Sequence, residues 1–452
     1  MSYIPHTAAD RQKMLKSIGV DSVDELFQVV PEAKRYPPLD LPPSLSEMEV
    51  ARLLKELAEE NADLDHYPCF LGAGAYRHFI PAVVDHVLRR GEFCTAYTPY
   101  QSEASQGTLM AIYEYQSMIC DLTGMDVANA SLYDGASALA EAALMAARLT
   151  RREELVVARN VHPAYRQVLR TYTQGLGLPI REVGYDHHGR VDLASARRTL
   201  SSGSACLIVQ HPNFFGCLED LSAAGELAHR FGALLVACVD PIALGLLRPP
   251  GEEGADLVVG EGQALGNPLS FGGPYLGFLA CRQEYMRQLP GRLVGMTTDA
   301  QGRRGFVLTL QAREQHIRRE KATSNICSNE ALVALAATVY LAAMGKQGLR
   351  QVAELCFHKA HYAARQIEDL PGFSLPFGEF FKEFVVKTSL SPREVNARLW
   401  ERGIVGGYEL GRDYPELADG LLFCLTEMNP KEEINIFVQA LEEIRLTKEE
   451  IR

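Results

Sequence analysis

Short apolar runs alternate with helix-like patterns through the middle of the chain. The runs that read as strands are ELVVARNV, CLIVQHPN, ALLVACVDP, DLVVGEG and YLGFLAC. Between them lie patterns such as HPAYRQVLRTYTQGLG and DLSAAGELAHRFG, in which apolar residues recur at helical spacing. Strands that alternate with helices are typical of a mostly parallel sheet covered on both faces. The pattern therefore predicts an α/β fold in this region.

Different patterns flank this region. Near the N-terminus, SEMEVARLLKELAEEN has capping-box spacing and predicts an amphipathic helix, and the proline-rich YPPLDLPP before it predicts an extended linker. Near the C-terminus, an Ala- and Leu-rich helix precedes KEFVVKTSL and GLLFCLTE, which alternate less regularly. We therefore predict an N-terminal arm and helix over residues 1–70, a large α/β domain over 71–330 and a small α+β domain over 331–452.

Composition narrows the class of protein. The chain has 452 residues, of which 47% are hydrophobic and 23% charged, and its formal net charge of -12 is spread along the chain. These values indicate a globular protein that binds neither nucleic acid nor an anionic membrane. No apolar h-region or membrane-spanning run is present in the sequence, so we expect a cytoplasmic protein. The ten cysteines are scattered without metal-ligand spacing, and we predict no metal site.

One predicted helix begins with residues suited to anion binding. Asp134-Gly135-Ala136-Ser137 stands directly before ALAEAALMAARL. Free backbone N–H groups and the Ser137 hydroxyl at such a helix start can cradle a phosphate. A simple Asp or Ser N-cap explains the same residues without a ligand.

Two further polar residues follow predicted strands, His162 after ELVVARNV and Asp240 at the end of ALLVACVD. Enzymes that use pyridoxal 5'-phosphate (PLP) hold the pyridine nitrogen protonated with such a carboxylate. They also stack a ring on the cofactor at a position like that of His162. Taken singly, His162 also fits a structural histidine, and Asp240 a turn aspartate before proline. The order of phosphate cradle, stacking ring and aspartate is that of fold-type I PLP enzymes.

The residue that such an enzyme needs next is missing. PLP is carried as a Schiff base on a lysine amine. The sequence has no lysine between Lys55 and Lys321. Arginine stays protonated and cannot replace it. The chain is therefore not expected to act as a self-sufficient PLP enzyme.

Long motifs resemble the N-terminal half of glycine decarboxylase, the P-protein family of the glycine cleavage system. They are CFLGAGAYRHFIP, TAYTPYQSEASQGTL, LYDGASALAEAALMA, VVGEGQALGNPLSFGGPYLGF and REQHIRREKATSNICSN. The resemblance covers nearly the whole chain, and its length fits the first of two polypeptides into which this protein is often split.

The resemblance implies a division of labour between two subunits. It places Gln263 where the partner has its PLP lysine, so that PLP is bound covalently by the partner and not by this chain. Ser137, His162 and Asp240 would then be vestigial. It further implies an α2β2 assembly with P-protein subunit 2, in which glycine is decarboxylated. The aminomethyl group passes to the lipoyl arm of the H-protein, and the T-protein and L-protein act in the same system.

One loop is polar, aromatic and punctuated by glycine and proline, as expected for a loop that lines a site. Together with the resemblance, this pattern predicts that the loop contributes to the partner's active site. The residues predicted to do so are Tyr97, Tyr100, Gln101, Glu103, Ser105 and Gln106. The bland alternative is a surface turn followed by a helix that starts near Ser105.

Two other functions are compatible with parts of the pattern. An autonomous PLP enzyme of the aminotransferase or cysteine desulfurase type would need the missing lysine, and visible absorbance of the purified chain would reveal it. A purely structural or regulatory partner would contribute no catalytic atom. Mutation of the tyrosine loop separates that alternative from the predicted role.

Overall fold

The structure is a computed structural model that describes residues 5–449. The chain divides into two compact units, Met1–Asp63 and Leu64–Arg452. The predicted boundaries after residues 70 and 330 stay predictions.

The described residues of the first unit form two α-helices, α1 (Ala8–Ile18) and α2 (Glu47–Glu59), and two short 3-10 helices between them. The predicted capping box of α2 is confirmed, because Ser46 accepts a hydrogen bond from the Glu49 N–H and Glu49 accepts one from the Ser46 N–H. The proline-rich segment before α2 forms neither helix nor strand. The apolar side chains of α2 are exposed, at 40% or more of their surface.

The second unit contains the remaining helices and all the strands of the described chain. Its helices are α3 (Ala82–Leu88), α4 (Gly91–Cys94), α5 (Gln106–Thr123), α6 (Gly135–Thr150), α7 (Pro163–Gln174), α8 (Leu193–Thr199), α9 (Leu221–Arg230), α10 (Gln315–Arg318), α11 (Ala331–Glu368), α12 (Pro392–Trp400) and α13 (Lys431–Glu449).

A seven-stranded sheet forms the centre of this unit. Its strands are β1 (Val127–Ala128), β2 (Glu154–Ala158), β3 (Ile180–Val183), β4 (Ser204–His211), β5 (Leu234–Val239), β6 (Leu257–Glu261) and β7 (Gly277–Cys281). The order is β1-β7-β6-β5-β4-β2-β3, with β7 and β1 antiparallel to their neighbours and the other pairs parallel. Every residue of β5 is buried, as expected for a central strand covered on both faces. The predicted mostly parallel sheet is confirmed.

Two smaller sheets follow along the chain. The strands β8 (Leu293–Thr298) and β9 (Arg304–Thr309) form an antiparallel hairpin. A four-stranded antiparallel sheet has the order β10-β11-β13-β12 and consists of β10 (Phe373–Ser374), β11 (Glu383–Thr388), β12 (Tyr408–Glu409) and β13 (Gly420–Cys424). The segments KEFVVKTSL and GLLFCLTE, which alternate less regularly, contain β11 and β13.

The long helix α11 is, by length and composition alone, apolar enough to cross a membrane. Its backbone leaves helical geometry at Gly345, where φ is 59°. Residues on both sides of this break, such as Ala336 and Ala360, are fully buried within the folded chain. Such burial is what a core helix of the fold requires.

Candidate functional site

The polar residues predicted at the ends of strands gather at one edge of the seven-stranded sheet. A cavity of about 480 Å³ is lined there by Asp134, His162 and Glu261, among others. Asp134 caps α6, accepting a hydrogen bond from the Ser137 N–H at 2.7 Å. Ser137 is 4% exposed, and its hydroxyl donates to the Asp134 carbonyl oxygen at 3.0 Å. Both side chains therefore make the N-cap that the sequence offered as the simpler explanation.

The first backbone N–H group of α6 bonds a carboxylate of the same chain. Glu261, the last residue of β6, accepts a hydrogen bond from the Gly135 N–H on Oε2 at 2.9 Å. Its Oε1 accepts from the N–H groups of Gln263 and Leu276, each at 2.9 Å. Burial raises the pKa of Glu261 to about 7, and these backbone donors oppose the rise.

Gln263, at the predicted lysine position, is 1% exposed and fully hydrogen-bonded. Its Oε1 accepts from the Tyr76 N–H at 2.9 Å, and its Nε2 donates to the carbonyl oxygens of Tyr76 at 3.0 Å and Asn267 at 2.8 Å. The amide thus fixes the chain around Tyr76 to the loop after β6. An amide has no nucleophilic amine, so this position cannot carry PLP.

His162 lies at the N-cap of α7, beside the same cavity. Its ring stacks on Tyr165, with centroids 4.8 Å apart. Nε2 donates to the Ala73 carbonyl oxygen at 2.8 Å, while Nδ1 accepts from the Ala164 N–H at 3.1 Å. Burial lowers the pKa of His162, so the ring is neutral at pH 7. Both of its ring nitrogens are hydrogen-bonded to the backbone of the same chain.

Asp240 pairs with a lysine that the sequence analysis did not single out. Lys382 Nζ lies 2.7 Å from Asp240 Oδ2, and the lysine side chain is 1% exposed. The other oxygen, Oδ1, accepts from the Ile242 N–H at 2.9 Å. Burial lowers and the Asp240 charge raises the pKa of Lys382, with a net rise, so the ammonium stays protonated.

The Lys382 ammonium has further partners. It lies 3.3 Å from His78 Nε2 and 3.5 Å from the centroid of the Tyr76 ring. His78 Nδ1 in turn lies 2.7 Å from Glu427 Oε2. Since Lys382 donates to one ring nitrogen, the other carries the proton toward Glu427, and His78 is neutral; burial lowers its pKa further.

The predicted tyrosine loop lies at the surface before α5. Tyr97 is 84% exposed and Tyr100 is 49% exposed. Gln101 and Glu103 are also exposed, and Ser105 is the N-cap residue of α5 without a side-chain capping bond. The helix start near Ser105 is confirmed, whereas the role of these residues stays a prediction.

Gln106 differs from the other members of the loop, because both ends of its amide bind β9. Its Nε2 donates to the Phe306 carbonyl oxygen at 2.8 Å, and its Oε1 accepts from the Phe306 N–H at 2.9 Å. This paired contact joins the start of α5 to the β8–β9 hairpin. Gln106 therefore anchors the end of the loop, at the start of α5, to the hairpin.

A buried charged cluster supports Tyr100. The Arg292 guanidinium carbon lies 5.7 Å from the Tyr100 ring centroid, and Nη2 approaches the tyrosine oxygen at 3.4 Å. Arg292 Nε lies 3.8 Å from Glu314 Oε2, and His316 Nδ1 lies 3.6 Å from the same oxygen. Arg292 and Glu314 are less than 10% exposed, yet Arg292 Nε and Glu314 Oε1 have no hydrogen-bond partner among the described residues.

Sequence reasoning missed Lys382, Glu261 and Arg292. Lys382 precedes an apolar strand and Glu261 ends one, so each resembles an ordinary strand-end charge. A charged residue next to a buried strand is a usable signal, because charges are rarely buried unless they are paired. That signal predicts some buried partner, but it does not identify which one.

Known proteins resemble this chain over nearly its whole length. A family model described as glycine cleavage system P-protein matches residues 1–441. The probable glycine dehydrogenase (decarboxylating) subunit 1 of Desulforamulus reducens is 56% identical over 98% of this chain and 99% of its own. The protein of the same description from Thermomicrobium roseum is 58% identical, with the same two shares covered.

Solved structures agree with the family match. A crystal structure of glycine decarboxylase (P-protein) of the glycine cleavage system, in inhibitor-bound form, superposes with a TM-score of 0.90 and 45% identity, covering 98% of this chain and 100% of that one. Sphingosine-1-phosphate lyase of Burkholderia pseudomallei is 16% identical with a TM-score of 0.67, covering 92% of this chain and 94% of that one, and shows the fold alone. The predicted fold class, that of fold-type I PLP enzymes, is confirmed. The chain belongs to the glycine cleavage system P-protein family.

Proposed function

We propose that this chain is subunit 1 of a two-subunit glycine dehydrogenase (decarboxylating), and that it works in PLP-dependent decarboxylation of glycine without carrying the cofactor. The observation that carries the proposal is Gln263, which stands buried and fully bonded at the predicted lysine position. The names of the full-length relatives support the assignment to subunit 1.

In this proposal the second subunit bears the lysine and its PLP, and the two chains assemble as α2β2 in the cytoplasm. Carbon dioxide leaves glycine, and the aminomethyl group passes to the lipoyl arm of the H-protein. The T-protein and L-protein act in the same system. This chain supplies walls and hydrogen-bond donors that orient glycine and exclude water from its carboxylate.

The tyrosine loop is the part of this chain that we assign to the partner's active site. Tyr97 is largely exposed and Tyr100 is half-exposed, and the Tyr100 hydroxyl also lies 3.4 Å from Arg292 Nη2. The guanidinium carbon of the buried Arg292 lies 5.7 Å from the Tyr100 ring centroid, and this cation–π attraction helps to hold the ring in place. Gln106 ties the end of the loop, at the start of α5, to β9. Gln101, Glu103 and Ser105 would add polar groups beside them.

Exchange of the glycine carboxyl group with carbon dioxide tests the assignment. The assay is run on this chain, on the lysine-bearing subunit and on the mixture. We expect exchange only when both subunits are present, and no visible PLP absorbance from this chain alone. Exchange by this chain alone, or a borohydride-trapped adduct on one of its lysines, would show an autonomous enzyme.

Tyrosine-to-phenylalanine variants test the loop. A hydroxyl that bonds the glycine carboxylate or the cofactor phosphate contributes roughly 1.5–3 kcal/mol, which corresponds to about 10- to 150-fold in kcat/KM. Tyr97→Phe and Tyr100→Phe should therefore lower turnover while the complex stays assembled. Tyr362→Phe is the matched control, since it removes a hydroxyl that bonds Asn435 outside the loop. Full activity in both loop variants would favour a purely structural partner.

A further inference from the structure

The Lys382 side chain makes the contact with Asp240 that a cofactor ring nitrogen would make. In fold-type I enzymes the strand-end aspartate receives a hydrogen bond from the protonated pyridine nitrogen. Here Asp240 receives it from the buried Lys382 ammonium at 2.7 Å. Lys382, which directly precedes β11, thus gives the Asp240 carboxylate the positive partner that the cofactor provides in those enzymes.

The position of a cofactor phosphate is matched in the same way. The N-terminus of a helix at this place in the fold favours an anion because its N–H groups are free. The Glu261 carboxylate accepts from the Gly135 N–H, with two further backbone donors on its other oxygen. A carboxylate of the chain therefore stands where the fold offers an anion site.

The backbone of residues 73–76 contacts residues that lie beside both charges. The Ala73 carbonyl oxygen accepts from His162, and a Cβ added at Gly74 would lie 2.7 Å from the same ring nitrogen. The Tyr76 backbone makes two bonds to Gln263. Glu383 also binds this segment, because its carboxyl oxygens accept hydrogen bonds from the Ala73 N–H at 2.6 Å and from the Tyr76 hydroxyl at 2.8 Å.

The remaining cavity does not suit PLP, although its volume of about 480 Å³ falls in the range of small-molecule pockets. Its lining includes the carboxyl groups of Asp134, Glu261 and Glu330. Lining groups of like sign repel a phosphate. In the cavity that the backbone of residues 73–76 leaves, the misfit is thus one of charge and of donors that are already occupied.

We propose that Lys382 and Glu261 are internal substitutes for the two charged ends of the cofactor, and that the backbone of residues 73–76 replaces its body. The polar groups at the predicted cofactor positions then stabilise the core. PLP therefore does not bind this chain even if a lysine is restored at position 263. The Asp240–Lys382 pair joins the seven-stranded sheet to the four-stranded sheet, so this framework is set without a cofactor.

The first test restores the lysine. Full-length Gln263→Lys is incubated with PLP, reduced with borohydride and analysed for an adduct at position 263, with circular dichroism to verify the fold. We expect no adduct at that position and no visible absorbance beyond that of the unmodified chain. A stoichiometric adduct in the folded variant overturns the proposal.

The second test empties the anion position. Glu261→Ala leaves the N–H groups of Gly135, Gln263 and Leu276 without their acceptor, so it should lower Tm by several degrees at pH 6, below the Glu261 pKa of about 7. Glu226→Ala, which removes a carboxylate whose side chain is 72% exposed, is the matched control and should leave Tm nearly unchanged. Equal losses of Tm in Glu261→Ala and Glu226→Ala, or no loss of Tm in Glu261→Ala, overturn the proposal. Neither test uses glycine or a second subunit, so its outcome is separate from that of the proposed function.

Discussion

Replacement of Lys382 by methionine tests whether the buried ion pair holds the fold. The side chains of Lys382 and Asp240 are 1% and 13% exposed, and the charged atoms lie 2.7 Å apart. At an effective dielectric constant of about 20 this separation gives a Coulomb attraction on the order of 6 kcal/mol, which the loss of hydration opposes. Removal of the ammonium leaves the carboxylate buried without its counter-charge. We expect Lys382→Met to lower the free energy of unfolding by about 3–5 kcal/mol.

A double-mutant cycle separates the pair from the packing of the lysine stem. Lys382→Met, Asp240→Asn and the combined variant are unfolded in guanidinium chloride and followed by circular dichroism. The combined variant should lose less than the sum of the single variants by roughly 1–3 kcal/mol, because neither charge is then left alone.

Lys387 is the matched control, because it lies on β11, the strand that Lys382 directly precedes, and pairs with Asp419 at 3.3 Å while its side chain is 34% exposed. Lys387→Met should cost no more than about 1 kcal/mol, as expected for a solvated pair. Equal losses for Lys382→Met and Lys387→Met, or strict additivity in the cycle, would refute the reasoning.

The remaining predictions concern pH, the loop support and assembly. Burial raises the pKa of Glu219 from 4.5 to about 7, so its contribution to stability is present below the unfolded pKa and is lost as pH rises through about 7. The free energy of unfolding of Glu219→Gln, measured in urea, should therefore rise relative to that of the unmodified chain between about pH 5 and pH 8. A difference between the two proteins that stays constant over this range would contradict this. Gln106→Met removes the side-chain partners of the Phe306 N–H and carbonyl groups. It should therefore lower the free energy of unfolding by about 1–3 kcal/mol. In the complex with the lysine-bearing subunit we expect more than about 2,000 Å² of buried surface, and sedimentation as separate subunits at micromolar concentration would count against it.

Local sequence determined the elements of the fold that depend on local patterns. The strands β2, β4, β5 and β6 and the helices between them followed from apolar runs and helical periodicity, since burial on both faces needs continuous apolar residues. The capping box at Ser46 was also predictable, because its two partners lie within one helical turn. The absence of a lysine between Lys55 and Lys321 was a fact of the sequence alone.

Tertiary structure decided which charges meet. The sequence shows Asp240 at a strand end and Lys382 before another strand, but only the packing of two sheets places their charged atoms 2.7 Å apart. Likewise, Glu261 becomes the partner of the Gly135 N–H only because β6 ends beside the start of α6. Sequence periodicity specifies which face of an element is buried, whereas the partner of a buried charge is set by the three-dimensional arrangement of distant segments. For that reason the sequence by itself determined that the cofactor lysine is missing, and only the tertiary structure showed what lies in its place.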